Sequence, residues 1–214
     1  MNLETIHNGK LVNTTLDLKE AYEWACNGPH HLVPYNKQSY KQLNELDKKS
    51  INLYGDHLRE LTKYTSKCKH ITEVGHNVGH TARVFTQHKP ETFIAYDILD
   101  FSNNRVKELC EANDINYKFM ITDSLKIDIN NFEETDFLWL DGNHSYEHVY
   151  KELNKFSNKV RMYIFSDDTE AEGTPGPTGY GVIKGFNKFL SENNEWVLET
   201  QSILGPGFIG IKRK

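Results

Sequence analysis

Hydrophobic positions change their spacing once along this chain, near residue 70. Before that point, apolar residues recur at intervals of three and four over residues 15–25 and 40–67, which is typical of amphipathic helices. After it, short apolar runs alternate with amphipathic segments, which is the pattern of a parallel sheet covered by helices. We therefore divide the chain into a helical accessory segment over residues 1–69 and an α/β domain over residues 70–214.

The second part of the pattern can be resolved into individual elements. Parallel strands are predicted near residues 70–75, 92–97, 116–121, 136–141 and 161–167. Helices are predicted near residues 79–88, 102–112, 145–157 and 181–191. Two further strands, near residues 196–200 and 207–211, are predicted to pair antiparallel around a glycine-proline turn. The expected fold class is α/β, a Rossmann-like and mostly parallel sheet with an antiparallel C-terminal strand.

Composition narrows the class of partner. The 214 residues carry a net charge of -5, and the 25 basic residues are scattered, so nothing indicates a nucleic-acid backbone as partner. Cys26, Cys68 and Cys110 show no metal-ligand spacing and favour reduced thiols in a cytoplasmic protein. No apolar run reaches about 18 residues and no signal peptide is recognised, so we expect neither a membrane span nor export.

The most informative stretch is a buried strand that runs into a glycine turn, from Ile71 to Gly79. The next strand ends on Asp97, and an acid about 20 residues after a glycine turn suits a nucleoside-containing cofactor. The glycines let the backbone approach the ligand, while the carboxylate accepts hydrogen bonds from the ribose hydroxyls. A dinucleotide fingerprint needs glycine where Asn77 stands. An acid at position 73 would repel a pyrophosphate and attract a cationic amino-acid group.

The pattern Glu73-x-Gly75-x-x-x-Gly79 with Asp97 resembles the first two motifs of the class I S-adenosylmethionine (SAM) methyltransferases. The resemblance implies SAM as cofactor and the ribose as partner of Asp97. It also implies an adenine contact from the acid that ends the third strand, although that acid is equally suited to cap a turn. The cofactor-binding residues implied in this way are Glu73, Gly75, Asn77, Gly79, Asp97, Asp123, Ser124 and Asp141.

Acidic residues also end the fourth and fifth strands. Asp141 follows a run of large apolar residues, and Asp167-Asp168 follow the next strand. Ligand sites of open α/β sheets lie at this edge, so the three carboxylates are expected to converge. Like charges at about 4 Å in a partly buried site cost several kcal/mol, which raised pKa values or a divalent cation can relieve. Oxygen ligands without cysteine favour Mg²⁺ or Mn²⁺.

The stretch Asp-Gly-Asn-His-Ser-Tyr-Glu over residues 141–147 resembles a D-G-D-H-S-Y-E motif of metal-dependent small-molecule and sugar O-methyltransferases. The resemblance implies Asp141, Asp167 and Asp168 as metal ligands and His144 as general base. Asn143 and Ser166 depart from the family pattern and leave the number of ligands open. Each residue also has an ordinary structural role open to it, as a strand-end cap, a solvated turn or a helix cap.

These observations predict a SAM-dependent, metal-assisted O-methyltransferase whose substrate is a small hydroxylated molecule, a sugar or glycoside ahead of a phenol. The alternatives are an NAD-type oxidoreductase and a binding module without catalysis. His30, His31 and Tyr35 are candidates to line the substrate mouth. The Gly/Pro-rich stretch 170–180 is predicted either to close over the substrate or to serve as a connector. The sequence does not identify the acceptor substrate or show whether the protein forms a homo-oligomer.

Overall fold

The computed structural model describes residues 2–7, 10–15, 60–77, 79, 81–100, 104–169, 179–202 and 207–214. In these ranges the chain forms one seven-stranded sheet, a separate two-stranded sheet and helices around the larger sheet. The strands are β1 Asn2–His7, β2 Lys10–Thr15, β3 His70–Val74, β4 Thr92–Asp97, β5 Asn116–Ile121, β6 Thr135–Leu140, β7 Val160–Asp167, β8 Trp196–Ser202 and β9 Phe208–Arg213.

The larger sheet has the order β5-β4-β3-β6-β7-β9-β8. Its first five strands are parallel, whereas β9 runs antiparallel to both β7 and β8. The predicted fold class is confirmed, including the antiparallel close. The chain first moves outward from β3 through β4 to β5 and then returns to the other side of β3 with β6. Ligands of such sheets bind at this reversal, beside the carboxyl ends of the strands.

The central strands β4 and β6 are buried on both faces, because they are apolar at nearly every position. Phe137 and Trp139 point to one face, and Leu138 and Leu140 point to the other. The first face is covered by the helical residues 60–65 and by the helices α1 (Ala82–Thr86) and α2 (Arg105–Glu111). The second face is covered by α3 (Tyr146–Phe156) and α4 (Gly179–Glu192), which also pack on each other.

The helices agree with the predicted positions: α1, α2 and α3 are shorter than predicted, and α4 is slightly longer. The first begins at Ala82 rather than near residue 79, because Gly79 has φ +81° and cannot be part of a right-handed helix. No helix within the described ranges is long and apolar enough to cross a lipid bilayer.

The N-terminal hairpin differs from the predicted helical segment. β1 and β2 pair antiparallel from Asn2 opposite Thr15 to His7 opposite Lys10. The sequence between the two strands is Asn8-Gly9, a dipeptide typical of two-residue hairpin turns, and the flanking residues are rich in Thr, Ile and Val. Thr15, where a predicted helix begins, is the last residue of β2. The rest of that prediction, over residues 16–25, and the prediction for residues 40–59 lie outside the described residues.

Candidate active site

A cavity of about 800 Å³ opens at the carboxyl ends of β3, β4, β5 and β6. Seven of the predicted site residues line it: Gly75, Asn77, Asp97, Asp123, Ser124, Asp141 and His144. Its walls also include Tyr96, Ile98, His148 and Glu152. Strand tips that are far apart in sequence therefore form one concave surface.

Gly75 allows the tips of β3 and β6 to approach each other. Its φ of +89° is unfavourable for other residues, and a Cβ built on it would lie 2.1 Å from the Asp141 carbonyl oxygen. Two backbone hydrogen bonds hold the junction, from Asp141 N to the Val74 carbonyl at 2.7 Å and from Gly75 N to the Tyr96 carbonyl at 2.9 Å. Because Gly75 has no side chain, a ligand can approach the backbone of this turn closely.

Asp97 is fixed by the turn that it faces. Its Oδ2 accepts a hydrogen bond of 2.7 Å from Asn77 N, and its Oδ1 accepts one of 3.3 Å from Leu99 N. Asn77 has φ +46°, a conformation that asparagine tolerates better than most residues. The carboxylate is thus held at the cavity wall with lone pairs left for a ligand, since a carboxylate offers about four acceptor sites.

Glu73 does not face the cavity. Its carboxylate is fully buried, and it is bonded to His76 Nδ1 at 2.5 Å and to the hydroxyl of Thr81. His76 Nε2 lies 3.2 Å from the Tyr117 hydroxyl, so the acid belongs to a polar network beneath the turn. Both partners of Glu73 are internal, and its contact with a cationic amino-acid group stays a prediction. Gly79 likewise packs inside the protein, where a Cβ would lie 2.3 Å from Val106 Cγ2.

Asp123 and Ser124 lie at the end of β5. Asp123 caps the short 3₁₀ turn Ser124–Lys126, and its Oδ1 accepts a hydrogen bond of 3.0 Å from Leu125 N. This backbone bond is the main cause that holds the pKa of Asp123 below its usual value. The capping role is therefore present, and the same side chain also lines the cavity. Asp123 therefore caps the turn and is also placed where it could contact a ligand, the two roles that the sequence left open.

His144 lies between two aspartates. Its Nδ1 is 3.1 Å from Asp168 Oδ2, and its Nε2 is 3.5 Å from Asp141 Oδ1. The ring sits in the turn before α3, where the Asn143 side chain accepts a hydrogen bond of 2.9 Å from Ser145 N. Trp139 Nε1 approaches the other Asp141 oxygen at 3.4 Å.

This arrangement changes the proton affinities of the cluster. Burial alone would lower the pKa of His144, but the neighbouring carboxylates of Asp141 and Asp168 outweigh it and raise the pKa to about 10. Burial is the largest cause that raises the pKa of Asp141 to about 7, with the charge of Asp167 second, although His144 opposes the shift. The raised pKa favours the protonated form of His144. An imidazolium has no lone pair with which to accept a proton.

The predicted metal ligands do not form a cation site in this arrangement. Among the described residues, no group of three or more His, Cys, Asp or Glu side chains is placed to hold a metal ion. Asp141 and Asp168 are directed to His144, and Asp167 is buried at the end of β7. The donor set therefore does not fit Mg²⁺ or Mn²⁺, each of which needs several oxygens around one point.

His148 and Glu152 also line the cavity and were not among the predicted site residues. Both lie on α3, four residues apart, which places them along one side of that helix. The spacing of four residues between His148 and Glu152, soon after Asp141, is the sequence signal that could have identified them. The predicted substrate residues His30, His31 and Tyr35, and the stretch 170–178, lie outside the described residues.

Solved structures of other proteins share the fold of this chain. No protein-family model and no curated protein sequence matches the chain. Among solved structures, an O-methyltransferase of Bacillus cereus in complex with S-adenosylhomocysteine (SAH) is similar, with 18% identity, a TM-score of 0.59 and coverage of 92% of this chain and 90% of that one.

Two further SAH-bound structures are similar. The magnesium protoporphyrin IX methyltransferase of Synechocystis PCC 6803 has 10% identity, a TM-score of 0.60 and coverage of 80% and 89% of the two chains. A methyltransferase of Podospora anserina has 14% identity, a TM-score of 0.57 and coverage of 94% and 89%. This chain has the Rossmann-like fold of the SAM-dependent methyltransferases.

Proposed function

We propose that this protein is a SAM-dependent O-methyltransferase of a small hydroxylated molecule. The observation that carries the proposal is one cavity that joins the glycine turn at Gly75 and the acid Asp97 to the polar cluster of Asp141 and His144. The first pair suits the nucleoside of the cofactor. The second pair supplies charged groups at the side where an acceptor hydroxyl would enter.

The chemistry needs few groups from the protein. The acceptor oxygen attacks the methyl carbon of the sulfonium, the carbon–sulfur bond breaks, and SAH leaves with the electron pair. Since the donor is already activated by its positive charge, the protein mainly aligns the two reactants and excludes water. The hydroxyl proton passes to a carboxylate of the cluster, and we assign this role to Asp141, with His144 as its positioning partner.

We route no step through a divalent metal, because no group of three or more potential ligands among the described residues is placed to hold one. The B. cereus protein of similar fold is an O-methyltransferase, which favours an oxygen acceptor over nitrogen or carbon. Sugars and glycosides come first as acceptors and phenols second, on the basis of the resemblance of residues 141–147. A cytoplasmic location is the matching expectation.

Methyl transfer from labelled SAM to a panel of sugars, glycosides and phenols tests this function. The assay is run in parallel with and without EDTA. A labelled product whose methyl group is released by ether cleavage supports the proposal. Turnover that is lost only when EDTA is present would support the metal-assisted mechanism instead. Tight SAH binding without any label transfer across the panel would favour a binding module.

Replacement of His144 tests the role of the cluster. We expect His144→Ala to lower kcat by up to roughly 10²–10⁴, the contribution of general-base catalysis, because Asp141 loses the cation that positions it as the proton acceptor. SAH affinity should be unchanged, as measured by calorimetry. His88→Ala, an exposed histidine beyond α1, is the control. A wild-type rate for the His144 variant would return this residue to a structural role in the turn.

A further inference from the structure

A second polar cluster lines the same cavity and is not used by the mechanism above. Glu152 on α3 is 1% exposed, yet it is a carboxylate in the wall of the cavity. Its Oε1 forms an ion pair with His148 Nε2 at 3.2 Å. The same nitrogen lies 3.1 Å from the hydroxyl of Ser124 at the end of β5. The pair thus joins α3 to the strand end that is predicted to contact adenine.

The partners of Nε2 define the state of the His148 ring. The Glu152 carboxylate 3.2 Å away favours a proton on Nε2, because an opposite charge nearby stabilises the charged form of the ring. In the imidazolium form Nδ1 is a second donor, and among the described residues no protein group pairs with it. The His148 side chain is 21% exposed and lines the cavity, so a ligand in the cavity can reach the ring.

The charges around His148 favour its protonated form. The hydrogen bond to Glu152 is the largest cause that raises its pKa, and the charge of Asp123 acts in the same direction. Burial and the charge of Lys151 on the same helix oppose the shift. A buried acid next to a half-buried histidine is the usual device for keeping an imidazole cationic.

We propose that His148, held by Glu152, donates a hydrogen bond to a ring nitrogen of the cofactor's adenine and makes cofactor binding depend on pH. This inference rests on the proposed function. The neutral ring would keep its proton on Nε2 and would present a lone pair at Nδ1, which repels a ring nitrogen. His148 is then a cofactor-binding residue, and Glu152 is a positioning residue that acts through it.

The test is SAH binding by calorimetry between pH 5.5 and pH 9 for the full chain. The affinity should fall by about tenfold or more as the pH rises through the pKa of His148, since a charged hydrogen bond is lost. Adenosine should show the same pH dependence and homocysteine should not. Glu152→Gln should move the midpoint to lower pH, because the charge that supports the imidazolium is gone.

Two variants keep the test decisive. Glu147→Gln, one residue from His148 and exposed on the same helix, should retain the wild-type profile. His148→Gln should make SAH affinity nearly independent of pH. This variant provides the test if Glu152→Gln does not fold. SAH binding that is independent of pH in the wild type overturns this inference alone. Absence of SAH binding at every pH overturns the proposed function and this inference with it.

Discussion

Asp97 is the residue on which the cofactor assignment depends most directly. Two backbone N–H groups already fix its carboxylate, at 2.7 Å and 3.3 Å, so that the side chain is preorganised before any ligand arrives. We expect Asp97→Asn to weaken SAH binding about 10- to 100-fold, since hydrogen bonds to a charged group contribute about 1.5–3 kcal/mol. Calorimetric titration measures the change.

The asparagine keeps the size of the side chain and removes its charge, so a loss of affinity reports on the carboxylate itself. Glu111→Gln, an exposed acid at the end of α2, is the matched control and should bind SAH as the wild type does. Unchanged affinity in the Asp97 variant would show that the ribose lies elsewhere.

At the scale of elements, Asp136 joins three neighbouring strands at the end of the sheet opposite the site. It accepts hydrogen bonds from Lys69 N at 2.8 Å, from His70 N at 3.0 Å and from Arg161 Nε at 2.7 Å. Burial pushes the pKa of this carboxyl up, but Arg161 and the two backbone donors outweigh burial and hold it below its ordinary value.

A depressed pKa has a defined effect on stability. The unfolded chain binds the proton more tightly than the folded one, so the stabilisation is present above the ordinary aspartate pKa and is lost as the pH falls through the folded value. We expect Asp136→Asn to cost about 1–3 kcal/mol at neutral pH and to reduce the acid-side fall in stability. Urea unfolding at several pH values measures both. Asp128→Asn, whose hydrogen bonds are local to Asn130, should change neither.

The contact between α3 and α4 depends on a small residue. A Cβ at Gly181 would lie 2.3 Å from the His144 carbonyl oxygen, whereas a Cβ at Gly185 would lie 3.1 Å from Val149 Cγ1. Gly181→Ala should therefore push the helices apart and destabilise the protein by about 1–3 kcal/mol. In Gly185→Ala, a gain in helix propensity of about 1 kcal/mol offsets the crowding of a side chain that can move. Equal unfolding midpoints for the two variants would contradict this packing.

The elements were predictable from sequence to different degrees. The strands of the large sheet were predicted because each apolar run ends in glycine or acid, as at Gly75 and Asp97. The hairpin of β1 and β2 was missed, although Asn8-Gly9 marks it, because the following helical pattern dominated the interpretation. The polar network beneath the turn could not be predicted, since Thr81 reaches Glu73, and Tyr117 reaches His76, only through tertiary packing.

For the whole molecule, the decisive property is which ligand the folded state binds. A ligand at about 100 times its dissociation constant adds about 2.7 kcal/mol of stability. For a chain of 150–250 residues each kcal/mol raises Tm by about 2–4 °C. We therefore expect saturating SAH to raise Tm by about 5–10 °C in a thermal-shift assay.

NAD should produce no comparable shift, because Asn77 occupies the position where a dinucleotide site needs glycine, and its backbone N–H is already bonded to Asp97. Mg²⁺ alone should also leave Tm unchanged, since Asp141 and Asp168 are paired with His144. The Asp97→Asn variant should lose most of the SAH shift while it keeps its own Tm within a few degrees. A chain stabilised by NAD and not by SAH would be an oxidoreductase, and the glycine turn would then have to hold a pyrophosphate. Stabilisation by Mg²⁺ alone would mean that the three aspartates regroup around a cation when one is present.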